Sequence, residues 1–166
     1  MNIYNTFLAV VMGGGILLST FTQAATYGGG SGMAEDPYQI WTAEQMNTIG
    51  LNSGDWDKHF KLMADIDMSA YTGTQYNIIG NDTTDFTGTF EGGRHIIKNL
   101  TYMTSEAVNN VGLFGPAVDA TIKNLGVEHV SISSGGSCVG GFVGLPIHSS
   151  ITSCYVTGSV SGTDTI

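Results

Sequence analysis

The sequence predicts an all-β solenoid, in which short strands wind into coils and the coils stack. Three observations predict it. A four-residue phrase, Ile97-Lys98-Asn99-Leu100, recurs as Ile122-Lys123-Asn124-Leu125 and, degenerate, as Ile151-Thr152-Ser153-Cys154, with starts 25 and 29 residues apart. Glycine-framed apolar knots stand between the copies: Val111-Gly112-Leu113-Phe114-Gly115 and Val139-Gly140-Gly141-Phe142-Val143-Gly144. The chain is rich in glycine, with 24, and poor in proline, with 3, and long amphipathic helical patterns are nearly absent, as in all-β chains with many turns. Self-similarity at such a period marks repeats that bury their apolar faces only by stacking.

The elements follow in order. Residues 1–25 read as a secretory signal peptide. Phe7 to Leu18 is apolar, and Ser19 to Ala25 offers small residues for cleavage after Ala24 or Ala25. The apolar stretch is too short for a stable bilayer anchor, and a buried core helix is the competing reading. Residues 26–34, with Gly28-Gly29-Gly30-Ser31-Gly32, read as a glycine-rich linker. Residues 35–85 read as an N-terminal cap and first strands. Tyr38 to Trp41 is a short strand. Thr42 and Gln45 have the spacing of a capping box, in which each side chain satisfies a free backbone donor of the other residue. A helix over 43–49 follows, with Trp41 and Met46 placed as a hydrophobic staple and Gly50 as a left-handed stop. Phe60, Leu62, Ala64, Ile66 and Met68 alternate with Lys61, Met63, Asp65 and Asp67, the period of one half-buried strand. Tyr76–Ile79 and Phe86–Phe90 are the next strands.

Residues 86–166 hold the repeats. Ile97 and Leu100 both look inward but stand three apart, so the chain must bend between them. Asn99 and Asn124 occupy the bend, and asparagine tolerates left-handed backbone angles. Short strands joined by such corners, with coils about 4.8 Å apart, make a parallel β-helix. Leu100, Leu125 and Cys154 are expected to share one inward slot. A cysteine there behaves as a small hydrophobe, which favours free thiols over a Cys138–Cys154 disulfide, although an exported chain permits either. The third repeat is short and has no second cap, so a piece of a longer repeat protein, or self-association through an open C-terminal coil, is expected.

Charge narrows the function classes. Fourteen acidic residues against five basic give a formal net charge of −9, and Arg94 is the one arginine. Such a chain has no footprint for nucleic acid or for anionic lipid headgroups. No second apolar stretch of membrane-spanning length follows the signal.

Gly112-Leu113-Phe114-Gly115 and Gly141-Phe142-Val143-Gly144 resemble the GLUG motif of bacterial secreted and surface repeat proteins. The segment Phe86-Thr87-Gly88-Thr89-Phe90-Glu91-Gly92-Gly93-Arg94-His95-Ile96-Ile97-Lys98-Asn99-Leu100 resembles the phrase that precedes GLUG repeats, with Glu91 for the usual Asp and Arg94 for the usual Gly. Asp36–Ile40 and Leu62–Met68 resemble the leader of such proteins. The resemblance covers about residues 27–162. It implies a right-handed parallel β-helix in an exported, often cell-surface, protein and no defined catalytic set.

Among candidate site residues, Asp65 and Asp67 are expected on one strand face, about 7 Å apart. Paired carboxylates suit calcium or acid–base work on a sugar. The plainer reading is two solvated charges that keep a strand soluble. His59, His95, His129 and His148 lack metal-ligand spacing. Tyr27, Tyr38, Tyr71, Tyr76 and Trp56 could stack on sugar rings or pack the cap onto the core. The functional expectation is a non-enzymatic surface or extracellular module for adhesion or carbohydrate contact, with an extracellular polysaccharide or cell-surface ligand as partner. The alternatives are a polysaccharide-processing lyase or glycosidase and a structural spacer, since β-helices host all three.

Overall fold

The structure is a computed structural model and describes residues 27–163; the signal peptide read over 1–25 lies outside the described residues. In chain order the elements are β1 (Tyr38–Ile40), α1 (Ala43–Ile49), β2 (His59–Leu62), β3 (Ile66–Asp67), β4 (Thr89–Glu91), β5 (Ile96–Lys98), β6 (Thr101–Met103), β7 (Phe114–Val118), β8 (Thr121–Lys123), β9 (Gly126–Ser133), β10 (Val143–Ile147), β11 (Ser150–Thr152) and β12 (Tyr155–Ser161). They form three sheets, ordered β1-β2-β4-β8-β11, β12-β9-β5-β3 with β6 also on β9, and β10-β7. Neighbouring strands are parallel because each is the same stretch of the path one coil later. The result is a parallel β-solenoid of about 4 turns.

Like residues stack in columns. Tyr38, Phe60, Phe90, Ile122 and Ile151 pair in register along the first sheet. Ile66, Ile97, Val127 and Val156 do so along the second. The inner members are buried, and the ring of Phe114 lies 5.0 Å from Phe86 and 5.3 Å from Phe90.

The repeated phrase marks a corner rather than a coil slot. Ile122 pairs with Ile151 in the first sheet, so Leu125 and Cys154 share a slot as expected. Ile97 pairs with Val127 in the second sheet, which carries Leu100 to the level of Val130 and away from Leu125. Asn99 and Asn124 each adopt a left-handed turn, with φ of 60° and 55°, but at two different corners. Each corner needs the same local chemistry, so the phrase is spelled twice within one coil. The 25-residue spacing is therefore shorter than a coil, whereas the 29-residue one, Ile122 to Ile151, is a coil step; side chains that bond across coils stand 27 to 33 residues apart.

Left-handed residues stack on one another. Asn99 donates its backbone N–H to Glu128 beside His129, and Asn124 donates to Thr152 beside Ser153. Asn110 with Cys138, and Asp119 with His148, make two further columns of positive φ. His129 has φ 55° and is exposed. His129→Gly is therefore expected to leave stability unchanged or raise it, whereas His129→Val should cost about 1–3 kcal/mol. Urea titration of both variants checks this, and equal midpoints would count against a strained corner.

Helix α1 forms where the capping box predicts it. Gln45 N–H donates to Thr42 Oγ1 at 3.2 Å and Trp41 N–H donates to Gln45 Oε1 at 2.8 Å. Met46 is buried, but Trp41 stays exposed with its indole over Gly28, so no buried staple forms. Gly50 is right-handed, with φ −66°. Its role is steric: the backbone of Asn77 occupies the space a side chain would need. The helix lies against β3, the end strand of the second sheet, and Trp56 Nε1–H donates to Ile49 O at 2.8 Å.

Three expectations about the N-terminal half are corrected. The glycine-rich segment is not a free linker over 27–34. Gly28 N–H donates to Gln39 O and Gln39 N–H to Gly29 O, both at 2.8 Å, and His59 N–H donates to Gly32 O. The segment covers the outer edge of β1, and glycines permit that because Pro37 and Tyr38 crowd Gly30 and Gly32. The expected single strand over 60–68 is two, β2 and β3, with a corner between them. Tyr76–Ile79 and Phe86 join the third sheet only through isolated bridges, Ile79 to Phe114 and Phe86 to Ala117.

Candidate functional site

Two sets of polar side chains stand out, one at the corners and one in a cleft on the flank of the stack. Asp65 and Asp67 belong to the first. The two carboxylates flank buried Ile66 and take separate partners. Asp65 Oδ1 accepts from Ile96 N at 3.0 Å and lies 3.1 Å from His95 Nδ1. These contacts, the backbone donor foremost, hold its carboxyl below the usual range. Asp67 Oδ1 accepts from Asn99 Nδ2 at 2.9 Å and from Ser69 N at 3.0 Å, with Lys98 Nζ 3.6 Å from Oδ2. The Asn99 bond, then Ser69, lower its pKa to about 2. Glu91 does the same at the next coil, accepting from Asn124 Nδ2 at 3.0 Å and from Gly93 N at 2.8 Å.

Outside the corners, charge alternates up the stack. Asp67, Lys98 and Glu128 are register partners on the second sheet, and Lys61, Glu91 and Lys123 on the first. A one-residue slip of any coil would place these partners out of reach. The arrangement ties corner to corner. Among the described residues no group of three or more His, Cys, Asp or Glu could hold a metal ion.

The low Asp67 pKa has a defined sign. Its unfolded carboxyl titrates near 3.9, and its folded one at about 2. The stabilisation it supplies is present above about pH 4 and is lost as pH falls toward 2. Asp67→Asn is expected to flatten the acid limb of stability in that window. Urea midpoints against pH, for wild type and variant, measure this; superimposable acid limbs would reject it.

The second set lines a cleft of about 330 Å³ between the chain around 74–82 and that around 102–110. Its floor is rigid, because buried Tyr76 donates its hydroxyl to Leu113 O at 2.8 Å. Asp82 sits on the rim and accepts from Asn110 Nδ2 at 2.9 Å. Asn81 Oδ1 accepts from Thr83 N and Thr84 N, which fixes its turn. Asn109 Oδ1 accepts from Ser137 N at 2.9 Å, bracing the opposite rim against the next coil. Tyr102 is half-buried in the wall, and burial pushes its phenol pKa up, so the hydroxyl remains a donor at neutral pH. The cleft thus offers the Tyr102 ring over a Tyr76 floor, several amides and one carboxylate on an ordered frame.

Sequence reasoning missed Tyr102, Asp82, Asn109 and Asn110 as a group. The available signal was the pair of polar clusters Asn81-Asp82 and Asn109-Asn110, one coil apart. Of the aromatic residues singled out, Trp56 and Tyr76 are core, and Tyr27 and Tyr38 pack on each other at 4.6 Å and on Phe60. They pack the cap onto the core. Cys138 and Cys154 are free thiols. Burial pushes the Cys154 thiol up, which suits a packing role.

A family model described as the GLUG motif matches residues 135–161. The chain carries the GLUG motif. The matched residues span β10, β11 and β12. The earlier knot lies one coil below in the same slot, since Phe114 pairs with Val143, and the glycines of the GLUG slot let the two backbones pass closely, Gly112 beside Gly144. Among curated proteins, the chain is 34% identical over 147 residues to halomucin of Haloquadratum walsbyi, covering 82% of this chain and 2% of halomucin. It is 28% identical over 127 residues to a candidate Gly-rich membrane protein of Evansella cellulosilytica, covering 73% of this chain and 14% of that protein. The chain thus spans a small fraction of the length of these relatives. Among solved structures, it superimposes with a TM-score of 0.62 on a candidate immunoglobulin A1 protease from Bacteroides ovatus, at 25% identity, covering 80% of this chain and 40% of that one.

Proposed function

We propose that this chain is a non-enzymatic module of a surface or extracellular protein and contacts carbohydrate through the flank cleft. The observation that carries the reading is the lining of the cleft. A sugar needs an apolar face for its C–H groups and oriented donors and acceptors for its hydroxyls. Tyr102 supplies the first, and Asp82, Asn109 and Asn110 the second. The relatives' names, halomucin and a Gly-rich membrane protein, and the signal-like residues 1–25 support an exported setting.

A glycan array probed with the folded chain, with and without calcium, identifies the ligand, and titration calorimetry measures it. Tyr102→Ala and Asp82→Ala are each expected to weaken binding by about tenfold or more, or about 1.4 kcal/mol, with circular dichroism unchanged. Binding that survives both substitutions would remove the cleft from the reading. Release of new sugar ends during incubation would favour the polysaccharide-processing alternative.

A further inference from the structure

We infer, resting on the reading of the flank cleft as a carbohydrate site, that it selects a neutral sugar bearing an acetamido group, an N-acetylhexosamine, over plain hexoses and over acidic sugars. The polar side chains of the rim are each half used by the protein, and the unused halves define the ligand. Asn81 Oδ1 accepts from Thr83 N at 2.9 Å and from Thr84 N at 3.0 Å. Asn109 Oδ1 accepts from Ser137 N at 2.9 Å and from Ser137 Oγ at 3.2 Å. Each of these oxygens already holds two bonds, so what each amide has left is its Nδ2 donors. Asn110 Nδ2 donates to Asp82 Oδ1 at 2.9 Å, which leaves Asp82 Oδ2 and Asn110 Oδ1 as acceptors. The cleft therefore presents fixed donors beside fixed acceptors.

The apolar lining separates an acetamido group from a hydroxyl. Ile78 and Val108, both half-buried against the core, line the cleft together with Tyr102. A sugar hydroxyl can meet the donors or the acceptors but brings nothing to Ile78 and Val108. An acetamido group carries three parts within a few bonds: a carbonyl that accepts, an N–H that donates and a methyl that gains by leaving water. The free amides of Asn81 and Asn109 suit the carbonyl, Asp82 Oδ2 the N–H, and Ile78 and Val108 the methyl. Charge decides against acidic sugars. Asp82 is the one charged residue among those lining the cleft, and the chain as a whole carries −9. A uronate or a sulfated sugar would meet like charge there, with no lysine, arginine or histidine in the lining to pair with it.

Titration calorimetry of the full chain tests the selection with β-1,4-linked tetramers of N-acetylglucosamine, of glucose and of glucuronate, beside the glycan array. The first two tetramers differ only in the group on C2. The N-acetylated one is expected to bind at least about tenfold more tightly than the glucose one, and the glucuronate one to give no measurable heat. Bound glycans on the array should carry N-acetylhexosamine, in the gluco or the galacto series. Asn109→Asp keeps an oxygen for Ser137 N but removes the free donors, so it should weaken N-acetylated binding by at least about tenfold. Val108→Ala should narrow the ratio between the N-acetylated and glucose tetramers. Equal binding of those two, or array hits confined to plain hexoses or to acidic sugars, would overturn the selection and leave the carbohydrate reading standing. N-acetylated binding indifferent to both variants would take the acetamido group out of this cleft. Binding of no glycan at all would overturn the selection and the carbohydrate reading together.

Discussion

Phe114→Ala is expected to lower the unfolding free energy by about 3–5 kcal/mol, the range for removing a buried aromatic ring. Phe114 is fully buried. Its ring touches three others, Phe86 at 5.0 Å, Phe90 at 5.3 Å and Phe142 at 6.2 Å between centroids. It therefore joins the first-sheet column to the third sheet. The parallel backbones around it are held by ladder bonds on both sides, Ile79 below and Val143 above. They cannot collapse into the space, so most of the cavity persists. Phe142→Ala, at the half-buried end of the same column, should cost clearly less. Urea denaturation of both variants decides. Equal losses would mean that the rings do not act as a stacked column.

Trp56→Ala is expected to cost a comparable amount, about 3–5 kcal/mol, and to act on one end of the molecule. Trp56 is buried, and its Nε1–H donates to Ile49 O at the end of α1. Its own carbonyl accepts from Thr87 N at 3.0 Å and Gly88 N at 2.8 Å. One residue thus fastens the cap helix to the chain entering β4. In a solenoid each coil contacts only its neighbours, so the damage should stay local. Amide exchange should rise over residues 38–62 well before it rises over 126–133. Trp56→Phe keeps much of the ring volume and removes only one of two donors to the Ile49 carbonyl, which keeps Asn52 N–H at 3.1 Å, so it should cost less, about 0.5–1.5 kcal/mol. Uniform exchange across the whole chain would argue that the stack unfolds as one unit.

The amino-acid sequence by itself determined what acts over a few residues. The capping box placed α1 at Ala43–Ile49. Asn99 and Asn124 marked corners because a left-handed turn favours asparagine, and both have positive φ. The knots around Leu113-Phe114 and Phe142-Val143 showed that coils repeat, and Cys154 took the slot above Leu125. Tertiary structure decided everything that depends on which residues lie one coil apart. It assigned the two copies of the Ile-Lys-Asn-Leu phrase to different sheets. It turned the chain between Leu62 and Ile66 and gave Asp65 and Asp67 each its own donors. It folded Gly28–Gly32 onto β1 and brought Tyr102, Asp82 and Asn110 around one cleft. The physical reason is range. Capping and backbone strain are written in neighbouring residues, whereas stacking register is set by packing between residues about a coil apart, which no local pattern states.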